Sequence, residues 1–237
     1  ETVAKNSFGA VTDVVVALSG KTFVTLHADS RCVNFWRAED AKLIWSQFFD
    51  HVPGKAALSD GVGSVPSEQG FDFQRVAVGL WNSRVNLYNA IDGTCVAKID
   101  TDVMSSITAL SFDQRQDELL LAVGYSSGEL RWISAKCGTL TAKAVGASEP
   151  VTSFMTSDTW LASTTDSSIA IWEKLPDAEI VKEKLDIVFG IFKSNFGFVI
   201  AHYNGNLSYY KSDVLDSHTP VSSFIKIGTN DVRVKEV

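Results

Sequence analysis

Five segments of this 237-residue chain repeat one pattern, a polar turn followed by an alternating run that ends on a large side chain. They are Asp29-Ser30-Arg31-Cys32-Val33-Asn34-Phe35-Trp36, Asn82-Ser83-Arg84-Val85-Asn86-Leu87-Tyr88, Ser127-Gly128-Glu129-Leu130-Arg131-Trp132-Ile133, Asp166-Ser167-Ser168-Ile169-Ala170-Ile171-Trp172 and Asn204-Gly205-Asn206-Leu207-Ser208-Tyr209-Tyr210. Self-similarity constrains a fold more than local propensity does, because every copy must be the same supersecondary unit. Asp, Asn, Ser and Gly tolerate the left-handed backbone of a tight hairpin, and a period of two is what a strand requires. Each segment therefore predicts the second arm of a hairpin.

The first arms are predicted at Phe23 to Leu26, Arg75 to Gly79, Leu119 to Gly124, Trp160 to Ser163 and Phe198 to Ala201, and all but the first end on a small residue. A further strand is predicted ahead of each hairpin, at Val11 to Val16, Ile107 to Phe112, Val151 to Thr156 and Ile187 to Phe192, with a weak one around Ala56 to Ser59. Another follows the hairpin at Leu43 to Phe48, Val96 to Ile99, Leu140 to Val145 and Val221 to Ile227. Four strands per unit is the content of a β-propeller blade. Between the equivalent points Val33, Val85, Leu130, Ile169 and Leu207 the spacings are 52, 45, 39 and 38 residues. The long first interval holds Val52 to Gly70, whose two prolines, four glycines and three serines read as a loop insertion over 52–70.

The expected fold is an all-β propeller of four-stranded blades over 1–237, with five blades legible at about 9–50, 54–100, 105–146, 149–185 and 186–228. The segment Val85-Asn86-Leu87-Tyr88-Asn89-Ala90-Ile91-Asp92-Gly93-Thr94-Cys95 resembles the WD40 repeat family in its strand, its aromatic-plus-polar pair and its turn. That resemblance implies a divergent WD40 propeller. No unit carries the Trp-Asp pair, since Trp36 precedes Arg37 and Trp172 precedes Glu173, and no histidine follows a glycine, so the family's buried hydrogen-bond network is not expected. Leu43-Ile44-Trp45 is similar to the tryptophan-docking propellers of quinoprotein type; the other reading of Trp45 is a core aromatic on an outer strand. WD40-type rings commonly have seven blades, which needs roughly 280 to 315 residues. Residues 231–237 are accordingly expected to start a further blade, with the ring completed by missing sequence or by another chain.

Composition narrows the function. With 45% hydrophobic residues the chain can bury a core, and 28 acidic against 21 basic residues, the latter scattered, disfavour a nucleic-acid partner. Cys32, Cys95 and Cys137 are odd in number and lack metal-ligand spacing, which favours a reducing compartment, intracellular and either cytoplasmic or nuclear. No apolar run reaches the roughly 18 to 20 residues of a membrane helix.

The local motifs favour structure over chemistry. Gly124-Tyr125-Ser126-Ser127-Gly128 fits the hydrolase pattern G-x-S-x-G, but that pattern needs a helix after the serine and the residues here alternate as a strand. Asp113, Asp117, Glu118, Asp158 and Asp166 are read as solvated turn residues. No cofactor, metal or catalytic set is expected. The leading expectation is a non-catalytic protein–protein interaction scaffold within a multiprotein assembly. The alternatives are a propeller enzyme of glycoside hydrolase type with channel carboxylates, and an RNA-binding propeller of a ribonucleoprotein. Large side chains near hairpin turns are the expected protein contacts, namely Trp81, Arg84, Tyr125, His202 and Tyr203, although alternation along a strand can equally turn each inward.

Overall fold

In the computed structural model the repeated pattern folds as repeated sheets. Its described residues are 8–17, 19–59, 74–114, 119–145, 148–156, 160–166, 168–173, 179–184, 188–194, 197–202, 207–212 and 224–230, with the backbone alone described at 114, 145 and 160 and from 168 onward. Strands β1 (Asp13–Val16), β2 (Thr22–His27), β3 (Cys32–Arg37) and β4 (Lys42–Phe48) form the first sheet. The second holds β5 (Pro53–Leu58), β6 (Arg75–Leu80), β7 (Arg84–Asn89) and β8 (Cys95–Asp100), and the third holds β9 (Ile107–Gln114), β10 (Leu119–Tyr125), β11 (Glu129–Ser134) and β12 (Leu140–Val145). The fourth comprises β13 (Ser153–Thr156), β14 (Trp160–Thr164), β15 (Ser168–Glu173) and β16 (Glu179–Lys184), and the fifth β17 (Val188–Ser194), β18 (Gly197–His202), β19 (Leu207–Ser212) and β20 (Phe224–Asn230). Every sheet has its four strands side by side in chain order, which is the predicted blade.

Two backbone devices recur. The turn between the second and third strands is closed by one amide bond in each of the first three sheets: Arg31 to the Ala28 carbonyl at 3.1 Å, Ser83 to Leu80 at 3.0 Å and Gly128 to Tyr125 at 3.0 Å. The donor residue is left-handed each time, with φ of 49°, 65° and 81°. Only the third uses glycine, so Arg31 and Ser83 hold that conformation at a cost of about 1 kcal/mol each.

The second device is a β-bulge between the third and fourth strands, where the register slips between Phe35 and Trp36, Leu87 and Tyr88, Trp132 and Ile133, Ile171 and Trp172, and Tyr209 and Tyr210. The slip falls at the large residue that ends the sequence pattern in all five copies. The unpaired residue opposite is Ile44, Val96, Thr141, Ile180 or Ile227, β-branched in every case. Such a residue suits the extra twist that a bulge gives an outer strand.

By contact density the chain divides into two units, 1–112 with 135–139 and 113–134 with 140–237. In the first unit, Val24, Leu26, Val33, Phe35, Ala56, Val76, Val78 and Tyr88 form one buried cluster between the first and second sheets. Trp45 closes it from the outer strand: its ring stacks on Phe35 at 5.2 Å, and a side chain added at Gly93 would meet its indole at 2.9 Å. Trp45 is thus both a core aromatic and a group docked on the next sheet. The small residue one place before the end of the second strand has a similar origin. A Cβ on Gly79 would sit 3.0 Å from Ile107, the first residue of the following sheet.

The second unit repeats that relationship, since a Cβ on Gly124 would lie 2.6 Å from Val151 Cγ1. Leu120, Leu121, Val123, Leu130, Trp132 and Ile133 are buried there.

A buried polar network exists in the first sheet despite the missing pairs. Trp36 donates its indole N–H to Thr25 Oγ1 at 2.9 Å, Thr25 Oγ1 lies 3.0 Å from His27 Nε2, and Asn34 Nδ2 lies 3.1 Å from the same nitrogen. An amide nitrogen only donates, so His27 Nε2 accepts and Nδ1 carries the proton, which points to the Gly9 carbonyl at 3.3 Å. This network does not use the Trp-Asp or Gly-His pairs, which are absent: Thr25 and His27 share β2, and Asn34 and Trp36 share β3.

Other expectations also shift. The weak strand expected around Ala56 to Ser59 is β5, and it begins earlier, at 53–55, read only as inserted loop, because Pro53 takes the first strand position, where no ladder N–H is needed, and the register slips between Pro53 and Lys55, around Gly54. Strand β16, Glu-Ile-Val-Lys-Glu-Lys, escaped prediction because only two of its residues are apolar. Asp113 lies within β9 and is buried, not a solvated turn residue. Residues 60–73 and 231–237 lie outside the described residues.

Candidate protein-interaction site

Two of the five expected contact residues come together at one end of the first unit. Trp81 and Arg84 flank the turn that joins β6 to β7, and that turn is tied on both sides. The Trp81 amide donates to the Val52 carbonyl at 3.0 Å, while Ser83 Oγ donates to the Ser105 carbonyl at 2.6 Å and Thr101 Oγ1 to the Ser83 carbonyl at 2.7 Å. The turn is thereby fixed to the connectors before β5 and after β8. Trp81 stands on it 69% exposed, and a Cβ on Gly54 would touch its indole at 2.8 Å, so glycine leaves the ring room to lie over the backbone. Phe48, at the end of β4, and Met104, on the connector after β8, are also exposed large hydrophobics.

Arg84 lies beside a cleft of about 270 Å³ between the first and second sheets. Alternation along β7 sends Arg84, Asn86 and Tyr88 to one face, and the register sets Asp100 and Lys98 of β8 opposite Arg84 and Asn86. Arg84 pairs with Asp100 at 3.1 Å, both side chains more than half exposed, so the pair adds well under 1 kcal/mol of stability. Asn86 Nδ2 donates to the Tyr88 hydroxyl at 3.1 Å, and burial pushes the Tyr88 phenol up to about 12. Phe48, Phe49, Asp50 and His51 form the rim on the other side.

The remaining expected contacts stand elsewhere. Tyr125 ends β10 with its side chain fully buried, so it takes the inward alternative and presents nothing to a partner. His202 is described in its backbone only, as the last residue of β18, and Tyr203 lies outside the described residues. The sequence reading missed Phe48, Lys98 and Met104. Met104 is visible as an apolar residue in a connector and Phe48 as the apolar end of an outer strand, whereas Lys98 is set opposite Asn86 only by the strand register.

Gly124 to Gly128 runs from β10 through a turn into β11, with no helix after the serine. Among the described residues no group of three or more His, Cys, Asp and Glu is placed to hold a metal ion, and no helix is long and apolar enough to cross a membrane.

No protein-family model and no curated protein sequence matches the chain. Solved structures are similar to it. A chain in the crystal structure of the mitotic checkpoint complex is 13% identical, with a TM-score of 0.73 over 96% of this chain and 66% of that one. The structure of U3-55K is 11% identical, with a TM-score of 0.67 over 85% of this chain and 61% of that one. The computationally designed Ika8 protein is 17% identical, with a TM-score of 0.66 over 86% of this chain and 58% of that one. The chain spans about two thirds or less of each. At such identities the likeness shows the fold alone, which is that of propeller blades.

Proposed function

We propose that this chain is a non-catalytic protein–protein interaction scaffold, a divergent WD40-type propeller acting as a subunit of a multiprotein assembly. The observation that carries this reading is Trp81, a large aromatic side chain 69% exposed on a turn fixed to both neighbouring connectors. A rigid aromatic loses little conformational freedom on contact, and tryptophan is among the commonest energetic anchors of interfaces. Phe48 and Met104 on the same end extend the apolar surface. One of the similar structures is a chain of a complex, the mitotic checkpoint complex, which supports the assembly role.

The test is affinity purification of the full-length protein beside its Trp81→Ala variant, with the co-purifying proteins identified. Loss of a specific set of proteins at unchanged melting temperature is the expected outcome. An identical set from both, or turnover of a small substrate by the isolated chain, overturns the reading.

A further inference from the structure

We propose that the cleft between the first and second sheets takes the carboxylate of an Asp or Glu side chain on a partner protein segment, with an apolar neighbour of that residue resting on Phe48. This rests on the scaffold reading and names the chemistry of its partner.

The cleft floor is built of buried polar groups. Asn86 and Tyr88 are 6% and 2% exposed, and both line the opening. The Tyr88 hydroxyl accepts from Asn86, and its own proton has no acceptor among the described residues. With its pKa pushed up to about 12 by burial, the phenol stays a donor at any physiological pH. A buried donor of this kind calls for an oxygen from outside.

The walls supply charge. Lys98 stands opposite Asn86 in the register and makes no ion pair among the described residues. Arg84 spends Nε and Nη2 on one oxygen of Asp100, at 3.3 and 3.1 Å, which leaves Nη1 for a second acceptor. One ammonium, part of one guanidinium and one phenol line the same cleft as donors, a set that suits a carboxylate. Asp100 and Asp50 also line the cleft and oppose a doubly charged phosphate there. A volume of about 270 Å³ admits one side chain and its flanking backbone and falls short of the usual small-molecule pocket. Phe48, 60% exposed on the rim, offers the apolar contact beside it.

The experiment titrates the full 237-residue chain, observed by NMR, with two peptides, acetyl-Leu-Ser-Glu-Leu-Ser-amide and the same peptide with Gln in place of Glu. The expected result is saturable shifts at the Asn86 side-chain amide with the Glu peptide and about tenfold weaker binding of the Gln peptide. Lys98→Gln is expected to weaken the Glu peptide about tenfold and Tyr88→Phe about fivefold. Lys98 is exposed, so Lys98→Gln decides the matter should Tyr88→Phe fail to fold. Equal affinity for both peptides, no shift at Asn86 up to the solubility limit, or an unchanged affinity in Lys98→Gln overturns the proposal. Co-purification of proteins that depends on Trp81 and survives Lys98→Gln leaves the scaffold reading standing and overturns this one alone.

Discussion

The indole N–H of Trp45, on the outer strand of the first sheet, donates to the main-chain carbonyl of Ala90 in the second at 2.8 Å. The ring also stacks on Phe35 and covers Gly93, so one side chain joins two repeats by a hydrogen bond and by apolar contact. Trp45→Phe removes the bond and keeps most of the contact, with an expected cost of about 1 kcal/mol. Trp45→Ala removes both and is expected to cost about 3 to 5 kcal/mol. Urea unfolding of the two variants checks this, and equal midpoints would show that the indole does not hold the sheets together.

Gly124 meets Val151 so closely that even a methyl group must displace it. Gly124→Ala is expected to lower stability by about 1 to 3 kcal/mol, whereas Gly79→Ala, whose nearest neighbour lies at 3.0 Å against 2.6 Å for Gly124, is expected to cost less. Val151→Ala placed on Gly124→Ala should recover part of the loss. Additive effects in that double-mutant cycle would remove the contact as the cause.

The repeat itself was legible because each blade carries its pattern locally: a turn residue that accepts a left-handed backbone, then strict alternation. The outer strands were legible only where they are apolar. Strand β4, with Leu43, Ile44 and Trp45, declared itself, and β16, with charges at both ends, did not. Strand β5 was obscured because Pro53 and Gly54 are read as turn residues when nothing in the sequence shows that they occupy a strand start and a bulge. Of the site, Trp81 and Arg84 were within reach because they flank a turn. Tyr125 occupies the turn-closing position that Leu80 holds in the second sheet, where burial depends on what the fold brings over it. The Lys98 and Asn86 pairing is set by the register of two strands, which no local pattern encodes.

Alkaline stability follows from two buried acids. Burial pushes the Cys32 thiol from 9.0 to about 11 and the Tyr88 phenol from 10.0 to about 12. Both folded-state values are raised, so the unfolded chain ionises first: the stability each group contributes is complete below about pH 9 and is lost as pH rises through 11 and 12. The loss amounts to up to about 3 kcal/mol per group. Unfolding midpoints between pH 8 and 12 should fall in the wild type and fall less steeply in Cys32→Ala, once its own starting stability is subtracted. In the same way, a thiol reagent at pH 8 should modify exposed Cys95 and Cys137 at once and Cys32 only on unfolding.

Asn34 is the residue that sets the state of His27. Asn34→Leu is expected to cost about 1 to 3 kcal/mol, because it leaves His27 Nε2 without that donor and the Cys32 thiol without its acceptor, Asn34 Oδ1 at 3.1 Å. The chemical shifts of the imidazole nitrogens report the tautomer directly. A protonated Nε2 in the wild type would contradict the arrangement described.

A glycine stands one residue before the end of the second strand in the second and third sheets, whereas the first sheet has Leu26 there, paired with Val33 as Gly79 is with Val85 and Gly124 with Leu130. The blades are thus alike in backbone and keyed at their edges: Gly79 admits Ile107 and Gly124 admits Val151, but Leu26 fills the space that a side chain of that size would need. Shuffling the repeats would set a leucine where a neighbour expects a hollow. For these three sheets the order is written into the seams, and a chimaera that respects every strand and turn but exchanges Leu26 with Gly79 or Gly124 is expected to lose stability.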